Sequence, residues 1–219
     1  MPARLRPTAP IAADAILVGD PGRALMLAQA LLEQPKMSNH ARGLWGYSGR
    51  TPAGHELSLQ ATGMGGPSAA LVLADLAELG VRRAIRIGTC AAIAPGLELG
   101  QLLAVSEAHA LGGPGGSDGA AVAPDATLAA RLRERLGADG RTATVASLDV
   151  LHIHGTTAVA AGEAADMQTA ALLARGRELG VAVAAALIVT ATSAGELDDA
   201  ATEAAAERAG IAASAVLSS

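Results

Sequence analysis

The chain has 219 residues, of which 51% are apolar but only 1% aromatic, with no Phe and a formal net charge of -5. That length suits one well-buried α/β domain spanning residues 1–219, with a core of Ala, Val, Leu and Ile packed closely between helices and sheet. The acidic balance leaves no electrostatic footprint for nucleic acid and no polybasic patch for a membrane surface.

No apolar run free of charges and glycines reaches the roughly 20 residues that a spanning helix needs. The single Cys90 excludes an internal disulfide. No apolar leader-like segment opens the chain, so the expected location is cytoplasmic.

After an irregular, proline-punctuated start, Ala15-Ile16-Leu17-Val18 reads as a buried parallel strand. It ends in Gly19-Asp20-Pro21-Gly22-Arg23, and a helix follows over Ala24 to Leu32. Asp20 is a plausible N-cap with Pro21 at the first helical position, which leaves backbone N–H groups aimed at the strand end. Such a start attracts anions, and Arg23 would add a forked donor for phosphate oxygens. The plainer alternative is a capped helix with a solvated arginine.

His40 to Gly49 carries the only Trp and the only Tyr, and its glycine spacing suggests an extended, bulged segment that contains Arg42. Thr51-Pro52-Ala53-Gly54 is hairpin-like and leads into a strand marked by Leu57, Leu59 and Ala61. Gly63-Met64-Gly65-Gly66-Pro67-Ser68 then opens a helix whose apolar positions recur until Gly80, and Ala84 to Ile87 forms the next strand. This is a βαβ unit with parallel strands, so a site is expected at their carboxyl ends, at the Gly63 turn and at a second turn, Gly88-Thr89-Cys90. Arg86 is the least ordinary residue here. At the end of a buried strand an arginine is costly unless paired, and it serves either a structural ion pair or an anion.

Gln101 to Ser106 reads as a strand and Ala110 to Asp118 as a flexible loop. A helix spans Thr127 to Leu136, a strand Thr142 to Leu148, a long helix about Glu163 to Leu179, a strand Val183 to Val189, and a final helix about Asp198 to Leu217. His152 and His154 have i, i+2 spacing but no Cys, Asp or Glu cluster of ligand spacing beside them, so no metal is expected.

Four linked motifs occur here: Gly19-Asp20-Pro21-x-Arg23, Arg42-Gly43-x-x-Gly46, Gly63-Met64-Gly65-x-Pro67-Ser68 and Arg86-Ile87-Gly88-Thr89-Cys90-Ala91. In order and spacing they resemble the nucleoside phosphorylase/nucleosidase superfamily, which includes bacterial purine nucleoside phosphorylase and uridine phosphorylase. The resemblance is strong over about Ile16 to Ser106 and weaker from Thr144 onward. It implies an α/β fold in which a mixed central sheet curls into a distorted barrel flanked by helices. It also implies subunits paired as a homodimer, or a hexamer of dimers, with each site borrowing residues from its neighbour.

Carried over residue by residue, the resemblance puts Gly19, Arg23, Arg86 and Thr89 on phosphate, with Arg42 arriving from a partner subunit. Met64, Cys90, Ala91, Leu151, His152, Asp166, Met167 and Gln168 would surround the nucleoside. The implied reaction is phosphorolysis of an N-glycosidic bond in nucleoside salvage, with inorganic phosphate as co-substrate and no other cofactor. A hydrolytic nucleosidase, or a diverged member of little activity, is the alternative.

The chain also departs from the pattern. Where members commonly carry Glu-Met-Glu, this sequence has Asp166-Met167-Gln168. Ser193 stands where purine-type members place an acidic Asp, and Arg208 resembles the partner of that missing Asp. The phosphate half of the expected site is therefore intact and the base half rewritten.

Overall fold

The computed structural model describes residues 4–112, 117–150 and 162–219. Leu151, His152 and His154 lie outside the described residues, and with them the segment expected near the base.

The chain begins its regular structure with β1 (Asp14–Val18), buried at every position, and turns directly into α1 (Pro21–Leu31). The Asp20 carboxylate accepts a hydrogen bond from the Arg23 backbone N–H, with Pro21 inside the first turn, so the helix starts where its capping chemistry dictates. Next come β2 (Glu33–Asn39), β3 (Gly46–Arg50) and β4 (Glu56–Ala61), joined as an antiparallel meander in which β4 returns alongside β1 in parallel. The polar strand β2 has no counterpart in the sequence reading. It is an exposed edge, where Pro35 can sit without breaking a buried ladder.

Helix α2 (Gly65–Glu78) connects β4 to β5 (Arg83–Ala92), and β5 lies parallel to β1 on the side away from β4. The βαβ unit is therefore present, with β1 inserted between its two strands. The expected second turn is not. Gly88, Thr89 and Cys90 continue β5, because a later strand pairs with it in register as far as Cys90.

Two further strands, β6 (Leu102–Gly112) and β7 (Ser117–Val122), pair with one another, so the ladder runs into much of what the glycine content suggests is loop. Helix α3 (Ala126–Leu136) and strand β8 (Gly140–Leu148) follow. Ala164 to Asp166 then form β9, clamped between β8 and β5, and the helix expected from Glu163 begins only with α4 (Thr169–Leu179). Pairing on two sides overrides the helix propensity of that alanine-rich stretch. The chain ends with β10 (Ala182–Thr192), the two-residue β11 (Gly195–Glu196) and α5 (Asp199–Leu217).

Because β5 pairs with both β9 and β10, the path β10-β6-β8-β9-β5 closes on itself, and the sheet is a barrel with an open extension through β1, β4, β3 and β2. Alternation along the strands sorts the core into two sets. Ile16, Val18, Ile85 and Ile87 pack with α1, α3 and α5, while Ala15, Leu17, Ala84 and Cys90 pack with α2 and α4. Arg86 shares the parity of Ala84, so its side chain enters the α2/α4 side. Among the described residues no helix is long and apolar enough to cross a membrane.

Candidate active site

The carboxyl ends of β1 and β4 and the middle of β5 open onto a cavity of about 410 Å³, lined by Gly19, Asp20, Arg23, Gly63, Met64, Arg86, Thr89, Asp166, Met167 and Gln168, among others. Three helix N-termini reach it. Helix α1 presents Pro21 and Arg23, α2 presents Met64 and Gly65, and α4 is preceded by Met167 and Gln168. Met64 is the N-cap of α2 and supplies no side-chain acceptor, so the first N–H groups of that helix have no side-chain cap. The α1 start is capped by Asp20 and the α4 start by Asp166 and Ser147, so α2 is the one whose free N–H groups and dipole face the space uncompensated.

Arg86 forms the floor and is only 5% exposed. Its Nη2 donates to Asp166 Oδ2 at 3.0 Å, its Nη1 to Gln168 Oε1 at 2.7 Å and its Nε to Thr169 Oγ1 at 3.2 Å. Three of the five guanidinium N–H donors are thereby committed, and two remain. Asp166 is itself saturated: it accepts from Thr169 Oγ1 at 2.6 Å, from the Thr169 and Gln168 backbone N–H groups, and from Ser147 Oγ. Gly88 is required beneath this fork. A Cβ there would stand 2.4 Å from Arg86 Nη2 and 2.6 Å from its Cζ. Gly63 is needed for a different reason, its φ of +72° placing it in the left-handed region as the chain turns from β4 toward α2.

Arg23 is half-buried across the cavity, and among the described residues no hydrogen bond or ion pair holds its guanidinium. Burial pulls its pKa below the usual arginine value. Asp20 opposes that fall, and the nearby Arg86 adds to it. Two arginines face this space beside two carboxylates, the saturated Asp166 and the helix-capping Asp20, so what the cavity offers an anion is free donors, those of Arg23 and two of Arg86, and not a net positive charge.

The other residues singled out in the sequence lie elsewhere. Arg42 is exposed, has a left-handed backbone (φ 60°), and lines a separate recess with Arg4, Arg6 and His40. Cys90 is buried on β5, its Sγ donating to the Ile188 carbonyl, and Ala91 pairs with Ala165. Ser193 is exposed in the turn between β10 and β11. Arg208 is exposed on α5 and donates to the Gly100 carbonyl at 3.4 Å. None of these five lines the cavity. A larger groove of about 800 Å³ lies along Pro10, Glu33, Lys36, Arg50 and Glu56, where the cation Arg50 is paired with Glu56. Sequence reading does not single out Ser147 or Thr169, because their role comes only from contact with Asp166. Among the described residues no three His, Cys, Asp or Glu side chains converge as a metal cluster.

A family model described as "Phosphorylase superfamily" matches residues 14–219. Purine nucleoside phosphorylase DeoD-type of Oceanobacillus iheyensis is 45% identical over 84 residues, which are 38% of this chain and 35% of that protein. The protein of the same name from Clostridium perfringens is 37% identical over 100 residues, 45% of this chain and 42% of its own length. The matched stretches thus span well under half of these curated relatives. Two solved structures share the fold. A purine nucleoside phosphorylase from Toxoplasma gondii in complex with immucillin-H superposes with a TM-score of 0.84 at 18% identity, covering 95% of this chain and 91% of that one. A uridine phosphorylase from Vibrio fischeri superposes with a TM-score of 0.83 at 21% identity, covering 95% and 92%.

Proposed function

Since the chain belongs to the phosphorylase superfamily, whose model matches it over residues 14–219, we propose that it catalyses phosphorolysis of the N-glycosidic bond of a nucleoside. The products are a free base and a pentose 1-phosphate. The observation that carries this reading is the convergence of Arg23 and Arg86 with three helix N-termini on one cavity. A phosphate dianion seated there is positioned by forked donors and by the field of the helix ends.

The chemistry follows from charge. As the C–N bond to the base lengthens, the sugar acquires oxocarbenium character, and a dianion held on one face of the ring both stabilises that charge and forms the new C–O bond. The electron pair of the broken bond leaves with the base, which is helped by a proton or a hydrogen bond. Of the residues that line the cavity, Thr89 and Gly19 are assigned to phosphate and Met64 and Met167, with their apolar side chains, to the sugar. Inorganic phosphate is the co-substrate, and the reaction needs no other cofactor.

The motif resemblance that brings Arg42 from a partner subunit supports a working unit of at least two subunits, and Arg42 is exposed on its own chain and so accessible to a neighbour. Light scattering of the active species tests this point, and an active monomer overturns it. A cytoplasmic setting accords with the intracellular supply of nucleosides and phosphate.

Hydrolysis is the competing reaction, and a hydrolase has no use for an unpartnered arginine facing Arg86. Incubation with a panel of purine and pyrimidine nucleosides, with and without inorganic phosphate, separates the two. Phosphate-dependent base release with pentose 1-phosphate is expected. Phosphate-independent release of free pentose overturns the proposal.

A further inference from the structure

We propose, on the premise that the cavity holds phosphate, that Gln168 is a positioning residue for Arg86 and not a ligand for the hydroxyl groups of the substrate. Its side chain lines the cavity but is only 4% exposed, and protein groups already occupy its amide. Oε1 accepts from Arg86 Nη1 at 2.7 Å, and Nε2 donates to the Gly63 carbonyl at 2.6 Å. The Thr62 hydroxyl lies 3.1 Å from the same Oε1 and 3.0 Å from the Val18 carbonyl, its one proton serving either acceptor. Three of the four hydrogen-bonding positions of the amide therefore have a protein partner in reach.

The orientation of the amide is dictated by its partners. Arg86 can only donate and the Gly63 carbonyl can only accept, so oxygen must face the guanidinium and nitrogen the turn. Gln168 thus ties the floor of the cavity on β5 to the left-handed glycine just before α2, from a position far from both in sequence.

Charge explains why the group is an amide. A carboxylate at 168 would face the Gly63 carbonyl oxygen without a proton to offer. A neutral amide fixes the fork and leaves its charge available.

The test is isothermal titration of the full chain with inorganic phosphate, paired with KM and kcat for phosphate and for a nucleoside. Gln168→Met removes the amide bonds without adding charge, and Gln168→Glu adds charge at equal length. Thermal melts identify which variants fold, and either one suffices. Each is expected to weaken phosphate binding by about 10-fold or more and to raise KM for phosphate, with KM for the nucleoside within about 2-fold of wild type. In an Arg86→Ala background, Gln168→Met should weaken phosphate no further, because its effect passes through Arg86.

Unaltered phosphate affinity in the folded variants, or a nucleoside KM that moves while that for phosphate stands still, overturns the proposal. A wild-type chain that ignores millimolar phosphate overturns the phosphate reading of the cavity, and this inference with it. Wild-type binding with indifferent variants overturns this inference alone.

Discussion

An arginine cluster lies at each end of β1, and the two clusters are built to opposite effect. At the amino ends, Asp14 and Arg83 are register partners whose side chains meet in two parallel bonds, Nε to Oδ1 and Nη2 to Oδ2, each 2.7 Å. His55 Nε2 stands 2.9 Å from the same carboxylate, and Arg83 also donates to the Leu217 carbonyl at the end of α5. That arginine is fully matched, and its bond to Asp14 raises its pKa. At the carboxyl end of β1, Arg86 of the neighbouring β5 has one carboxylate that is already saturated, while Arg23 has none in contact. A matched arginine is a strut between helix and sheet. A pair with donors left free by folding is where an anion can bind.

The largest effect that sharpens this contrast is expected from Arg86→Ala. Phosphate affinity should fall by about 100-fold, since a buried, forked, charged donor is lost. Stability should fall as well, by about 3 to 5 kcal/mol, because Asp166 at 1% exposure is left without its cation. Titration calorimetry and denaturant melts measure the two losses. Unaltered phosphate binding would break the comparison outright.

Arg23→Ala should separate binding from stability. Phosphate affinity is expected to drop by about 10-fold. The melting temperature should hold or rise, because the guanidinium is half-buried, lacks a hydrogen-bonded partner and faces Arg86. A clear loss of stability would show that Arg23 is a strut like Arg83.

Gly88→Ala probes the packing under the fork. Its new Cβ would lie 2.4 Å from Arg86 Nη2 and 2.8 Å from Leu187 Cδ2, so the guanidinium must move. Several-fold weaker phosphate binding and a stability loss of about 1 to 3 kcal/mol are expected. Arg83→Ala should do the reverse of Arg23→Ala. With the Arg83 side chain 33% exposed, it should cost about 1 to 2 kcal/mol of stability, discounted for solvent screening, and leave phosphate affinity within about 2-fold.

What could be read from the sequence divides along the same line. The β1-turn-α1 unit was legible because an apolar run, Asp20, Pro21 and Arg23 act within a few residues of one another. Gly88 read as a turn because a glycine in a strand usually marks one; only the packed structure shows that it makes room for a guanidinium from two residues upstream. The partner of Arg86 lies 80 residues away on β9, a strand too short and too alanine-rich to announce itself. Gln168 does line the cavity, as its place in the motif implies, but nothing local reveals that its amide also bonds Arg86 and the Gly63 carbonyl.

The smallest expected effect is at Cys90, which lies on the Arg86 side of β5 and reports whether that end of the strand is preformed. Burial first, and then the Asp166 carboxylate, push its thiol well above the usual range, with Arg86 opposing them. Because the thiolate is the reactive form, a folded chain at neutral pH should react with a thiol reagent only through local opening of the strand, far more slowly than the denatured chain. Phosphate should slow labelling further if it ties Arg23 and Arg86 together above the strand, since any ligand that favours the closed state lowers the open population. Labelling of the native protein at the denatured rate would mean that β5 frays as far as Cys90, and the carboxyl-end cluster would then be assembled by its ligand, unlike the strut at the other end.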